Sequence, residues 1–241
     1  MTKEIDSSLI ILENLSKLET NLSISNQLKL IRQVIQQGNQ GQVALLELLI
    51  NRLVVQHKPV DYLDGILFEF LNKTNTSNIR QRLNNYFENG LINLKSSCQV
   101  YQPLQELLIN QEFEEADRFT YKQLCNAVGL DKKNKRNWLY FTDISCLPEE
   151  DLLMIDLLWR IYSRGKFGFS VQRQIWLSNN CEWEKLWDII GWKNDGIPSR
   201  YPAEFTWDIT APYGHLPLVN QLRGVQVLYA LFNHTGWSKL R

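Results

Sequence analysis

The stretch PEEDLLMIDLLWRIYSRGKFGFSVQRQIW, Pro148–Trp176, decides how the chain is read. Proline suits the first turn of a helix, and three acids favour its positive end, so Pro148–Asp151 predicts a helix start. The following LLMIDLLWRIY is apolar nearly all round, which predicts a central, buried helix. Asp156 interrupts that run. A buried carboxylate must be paired or hydrogen-bonded, and no acid, histidine or nucleophile stands at a recognisable spacing from it, so it reads as a structural tie. The turn Gly165–Phe169 then places two glycines beside two phenylalanines. Glycine permits backbone shapes and close approaches that other residues resist, and the rings supply flat apolar area. The turn reads as a folded corner beneath a pocket, or as the floor of a pocket for something flat. The same pairing returns in APYGHLPLVNQLRG, Ala211–Gly224.

Outward from this stretch, the chain divides by texture. All eight tryptophans lie at or after Trp138, and only six aromatic residues precede Pro103. The run KSSCQVYQP, residues 95–103, reads as a linker. Before it, residues 1–95 show helical stripes, such as Leu28, Ile31, Val34 and Ile35, then Ala44, Leu45, Leu48, Leu49 and Leu53. A helix over Ile5–Leu18 and stripes around Tyr62–Leu71 and Ile79–Phe87 make about five short helices in a bundle or HEAT-like stack. The repeat is too irregular to predict a solenoid, and no chemistry is visible there. After the linker, residues 103–241 are also mostly helical. The last stripe is Leu218, Leu222, Val225, Tyr229 and Phe232, with a helix expected to begin near Pro217. Two loops, Asp131–Trp138 and Trp192–Trp207, carry Lys or Arg beside large aromatics. Loops on a rigid base are where binding function concentrates.

Composition excludes several classes. At 241 residues the chain can bury a sizeable core without disulfides or structural metal. Formal net charge is zero, which argues against a nucleic-acid binder that relies on bulk positive charge. Cys98, Cys125, Cys146 and Cys181 lie far apart, so all four are expected as packed thiols in a reducing compartment. The N-terminus has no signal or transit character, and no segment approaches the ~20 apolar residues of a membrane span. Gly165–Lys166 lacks the remainder of a phosphate loop, and no nucleophile-elbow, zincin or EF-hand pattern occurs. His215 reads as a hydrogen-bonded structural histidine. Nothing pairs carboxylates as acid and base, so the chain is expected not to be an enzyme.

One constellation rises above this background. Asn220, Arg223, Gly224 and Val227 fall on one face of the expected final helix. Arginine near a helix start is electrostatically misplaced unless an anion sits there, met by free N–H groups and the guanidinium. Gly224 would leave room for a ligand to approach. A carboxylate on a flat apolar molecule satisfies the set; an internal salt bridge to Glu204 or Asp208 satisfies it equally.

These same motifs, with EEADRFTYKQL (Glu114–Leu124), resemble the Genomes-Uncoupled-Four family over residues 103–241. The resemblance implies an all-α fold: an N-terminal helical bundle followed by an all-helical domain shaped like a cupped hand. It implies a regulator that binds protoporphyrin IX and magnesium-protoporphyrin IX, stimulates magnesium chelatase, and associates with that enzyme's large porphyrin-binding subunit. No cofactor and no protein axial ligand are required. By similarity Asn220 and Arg223 match polar porphyrin contacts and Phe141 an apolar palm position. Tyr201, Phe205, Trp207, Lys132 and Arg136 are placed by region, the two cations screening a second carboxylate or forming solvated salt bridges. The resemblance further implies a plastid stroma or cyanobacterial cytoplasm, with peripheral membrane association compatible. The alternative from a different class is a non-binding helical adaptor that only docks protein partners.

Overall fold

The computed structural model describes residues 2–20, 22–130, 136, 138–218 and 225–240, with side chains of the first helix described from residue 9 onward. The chain gathers into two compact units, Met1–Asn93 and Leu94–Arg241. Eleven α-helices and one two-residue β-ribbon make up the regular structure among the described residues, so the architecture is all-α.

The first unit holds α1 (Thr2–Leu18), α2 (Ile24–Ile35), α3 (Asn39–Ile50), α4 (Tyr62–Asn72) and α5 (Ser77–Phe87). The periodic apolar positions form its core: Ile31, Val34, Leu45, Leu49, Ile66, Leu67 and Ile79 are all buried. Gly41 lets α3 approach α2, because a Cβ there would fall 1.8 Å from the Val34 carbonyl oxygen. A single wide turn, Asn51–Val55, extends α3 and brings Arg52 inward. Its Nε donates to Asp64 Oδ1 and its Nη2 to Asp61 Oδ2, both at 2.7 Å. Asp61 and Asp64 also cap α4 reciprocally, each carboxylate accepting the other's backbone N–H. One buried cation therefore serves the start of one helix and the end of another.

The second unit opens differently from expectation. The stretch read as a linker folds into a 3-10 segment, Ser96–Tyr101, that leads directly into α6 (Gln102–Ile109). The reason is Tyr101, which is buried and donates to Asp151 Oδ1 at 2.8 Å. Next come α7 (Phe113–Ala127), α8 (Glu149–Tyr162), α9 (Phe169–Ser178), α10 (Trp183–Ile189) and α11 (Gln226–Phe232). Helix α8 is the buried centre the sequence predicts, with Leu152, Ile155, Leu158 and Trp159 inside. The Trp159 ring meets Phe113 and Phe167 at centroid distances of 6.0 and 6.4 Å, and its indole N–H donates to Thr120 Oγ1 at 2.9 Å.

Two further expectations change. Pro217 and Leu218 are not helical, and the last described α-helix begins at Gln226. Of the four thiols, Cys98 and Cys125 are buried as expected, but Cys146 and Cys181 are exposed. The loop after α10 also contains a small β-ribbon, β1 (Lys193–Asn194) and β2 (Ile197–Pro198), paired antiparallel. Asp195 and Gly196 at its tip both take positive φ, the two-residue turn that matches strand twist.

Candidate binding site

The glycine–phenylalanine corner proves to be interior. Phe167 and Phe169 are fully buried. Gly168 has φ +137°, and its N–H donates to the Leu216 carbonyl at 3.0 Å. Asp156 is the tie beneath it. The carboxylate accepts from Ser170 N–H (2.7 Å), Ser170 Oγ–H (2.8 Å) and Arg160 Nε–H (2.8 Å). The corner therefore shapes the base of the region.

The wall motif is fixed from three sides. Gln172, wholly buried, donates to both Gly214 O (2.9 Å) and Pro217 O (2.8 Å). Gly168 N–H holds Leu216. On the third side Leu218 N–H donates to Asp117 Oδ1 at 2.6 Å. Lys166 adds a bond to Ile209 O (2.6 Å) and lies 5.7 Å from the centre of the exposed Tyr213 ring. Burial and the nearby Arg164 charge lower the Lys166 pKa from the ordinary ammonium value.

Beside the wall sits an aromatic group. Tyr201, Phe205 and Trp207 have centroids 5.9–6.4 Å apart, with Tyr201 and Trp207 nearly perpendicular. Phe205 is buried and leans on the His215 imidazole at 5.3 Å, so it supports the other two rings from below. Tyr201 is 41% exposed and presents its ring to solvent. Trp207 is tied by its indole N–H to Pro202 O at 3.0 Å. His215 is structural, as the sequence suggests. Its Nε2 accepts Thr206 N–H at 3.1 Å, which leaves the proton on Nδ1, donated to Ile190 O at 2.7 Å. Burial lowers its pKa below the ordinary imidazole value.

A second group lies on the loop before α8. Arg136 Nη2 grips both Asp143 oxygens at 2.7 and 2.9 Å, and its guanidinium lies 4.4 Å over the Tyr140 ring. Asp143 Oδ2 also accepts Tyr140 N–H at 2.7 Å. Of the two roles weighed for Arg136, the salt bridge is the one seen here: Arg136 pairs with Asp143 and braces the turn on which Phe141 stands half exposed. Asp143 lies seven residues away with no periodic relation to Arg136, so spacing gave no sign of it.

Of the remaining expected site residues, Lys132, Asn220, Arg223 and Gly224 lie outside the described residues. Of the two carboxylates weighed as partners for Arg223, Glu204 Oε2 accepts Arg200 N–H and Asp208 Oδ1 accepts Thr210 N–H. Asp117, Gln172 and Lys166 carry the wall yet escaped the sequence reading. Among the described residues, no cluster of three or more His, Cys, Asp or Glu side chains could hold a metal ion.

A wall pinned by buried polar side chains, with aromatics stacked beside it, is seated in a domain whose sequence matches a known family model. Residues 95–235 match the GUN4-like family, and residues 7–88 match the ARM-like repeat domain found N-terminal to it. The chain belongs to the GUN4-like family. The N-terminal match favours the HEAT-like stack over the plain bundle of the two arrangements the sequence allowed. A Ycf53-like protein of Synechocystis sp. is 41% identical over 231 residues, covering 94% of this chain and 98% of its own. The chloroplastic tetrapyrrole-binding protein of Arabidopsis thaliana is 34% identical over 148 residues, covering 58% of this chain and 56% of its own. The solved GUN4 structure from Chlamydomonas reinhardtii superposes with TM-score 0.55 at 37% identity, covering 61% of this chain and 95% of that one.

Proposed function

We propose that this GUN4-like protein binds protoporphyrin IX and magnesium-protoporphyrin IX and, so loaded, stimulates magnesium chelatase through that enzyme's large porphyrin-binding subunit. The observation that carries the reading is the Tyr201–Phe205–Trp207 group, braced by the buried His215, within a family that includes a protein named for tetrapyrrole binding. A porphyrin is a flat aromatic plate with two propionates at one edge, and it needs an apolar face and a few placed cations. In this reading Phe141, Tyr201 and Trp207 offer ring faces, with Phe205 behind them. Arg223, Asn220 and Lys132 meet the carboxylates, Gly224 allows close approach, and Arg136 orders the Phe141 turn. The protein transforms no pigment itself; it acts on the chelatase. Relatives in a cyanobacterium and a chloroplast fit work in a cyanobacterial cytoplasm or plastid stroma. No helix among the described residues is long and apolar enough to cross a membrane.

Titration with each porphyrin tests this. Binding shifts the pigment's Soret band and quenches the clustered tryptophans; a non-binding adaptor does neither. Arg223→Ala should weaken affinity by roughly tenfold or more, the range for a hydrogen bond to a charged group. Unchanged affinity in the folded variant removes Arg223 from the site. Added to purified chelatase subunits, the loaded protein should raise the rate of magnesium insertion. Incubated alone with pigment, Mg²⁺ and ATP, it should leave the absorption spectrum of the pigment unchanged.

A further inference from the structure

Three side groups pin the wall segment 214–218, and they differ in kind. Gln172 and the Gly168 N–H are neutral, while the third, Asp117, is an acid. Asp117 is 3% exposed, and its carboxyl oxygen sits 2.6 Å from the Leu218 nitrogen, 101 residues along the chain. A neutral amide oxygen could also accept that N–H. What a carboxyl adds is a second charge state. Leu218 stands two residues before Asn220 and five before Arg223. On the other side, Arg118, next to Asp117 on α7, faces the Tyr201 hydroxyl. Asp117 thus touches the wall at one end and neighbours the aromatic group at the other.

We propose that Asp117 is a positioning residue of the tetrapyrrole site, its buried carboxyl fixing the wall at Leu218 and, when it ionises, setting an anion behind the place of an anionic ligand. The proposal rests on the porphyrin reading above. Burial pushes the carboxyl up to about 8, with the Leu218 N–H and the Arg118 charge pulling the other way. Among the described residues, the titratable and charged groups facing it are Glu114 and Arg118 of its own helix and Tyr201 of the loop after α10. Above that pH an anion stands behind a site that must receive a dianionic ligand. Repulsion between that anion and the carboxylates of the ligand then opposes binding. Asp117 contacts no ligand in this scheme; it positions the wall through Leu218 in either charge state, and its charge opposes the ligand from behind the wall.

The test is the pH profile of magnesium-protoporphyrin IX affinity for the full chain and for Asp117→Asn, from pH 6.5 to 9.5. Asparagine keeps the acceptor for Leu218 and cannot ionise. The wild-type Kd should rise up to about tenfold between pH 7 and 9, the span of one group titrating at its centre. The variant should bind at least as tightly with a flat profile, so the ratio of the two cancels any titration of the pigment. Superimposable profiles overturn the proposal. If the wild type shows no binding at any pH, the porphyrin reading fails instead, and the two failures are distinct. Should Asp117→Asn not fold, the carboxyl can be followed in the wild type by ¹³C NMR. A titration near neutrality or above that moves upward when pigment is added supports the proposal. An Asp117 carboxyl that ionises in the ordinary range near pH 4, or that ignores the pigment, overturns it.

Discussion

At Gly168 a Cβ would stand 2.9 Å from Asp156 Oδ1 and 3.0 Å from the Arg160 Cγ, on a backbone with φ +137°. Gly168→Ala should therefore cost about 1–3 kcal/mol, read as a lower urea midpoint with unchanged m-value. His215 makes a second prediction, on pH. Its pKa is depressed in the fold, so its contribution is present above the unfolded value and lost as pH falls below about 6.5. A His215→Gln variant should lose less stability than wild type between pH 7 and 5, measured by denaturant titration at each pH. Both residues were legible in part. The interruption of an apolar run by Asp156 announced a tie, and a lone histidine in a turn announced a hydrogen bond. Arg160, four residues from Asp156 on the same helix, was readable as a partner by spacing, but Ser170 N–H and Thr206 N–H are backbone groups brought close by the fold, and no side-chain spacing encodes them. Asp117 shows the limit most clearly: ADRF reads as an ordinary helical surface until Leu218 arrives from 101 residues away.

Among the elements, the helices with strong periodicity were read well, from the stripes of the first unit to the all-round apolar α8. Their ends were not. Residues 96–101 lack any periodic signal, and it is one buried tyrosine hydroxyl that turns an apparent linker into ordered chain. The small ribbon within residues 193–198 was hidden in the aromatic loop, although its Asp-Gly tip is a hairpin signal. The site was less legible than the fold, because a residue type such as Arg136 states its charge but not whether a neighbour has already claimed it. The junction of α3 and α4 gives a prediction at this scale. Arg52 is 5% exposed and Asp64 wholly buried, so Arg52→Met leaves a buried carboxylate with its cation removed. The expected loss is about 3–5 kcal/mol, seen as a large drop in the midpoint of thermal or urea unfolding.

The two units each own a hydrophobic core. The solved Chlamydomonas GUN4 is covered over 95% of its length by 61% of this chain. A fragment spanning residues 94–241 should therefore fold alone, giving a cooperative melt and helical circular dichroism, and should bind porphyrin with affinity within about threefold of the full chain, less than 1 kcal/mol. Asp117 also marks the stability of the whole fold. Its pKa is raised on folding, so wild-type stability should decline, relative to Asp117→Asn, by up to about 1.4 kcal/mol for each pH unit between roughly 4 and 8. The uneven placement of the four thiols has a practical side. Cys146 is exposed and five residues beyond Phe141, whereas Cys98 and Cys125 are buried. With Cys181 changed to serine, a maleimide fluorophore can be seated at one address beside the proposed pigment. Energy transfer from that dye to an arriving macrocycle would then time its entry and its hand-over to an acceptor, stages that absorbance at equilibrium merges into one.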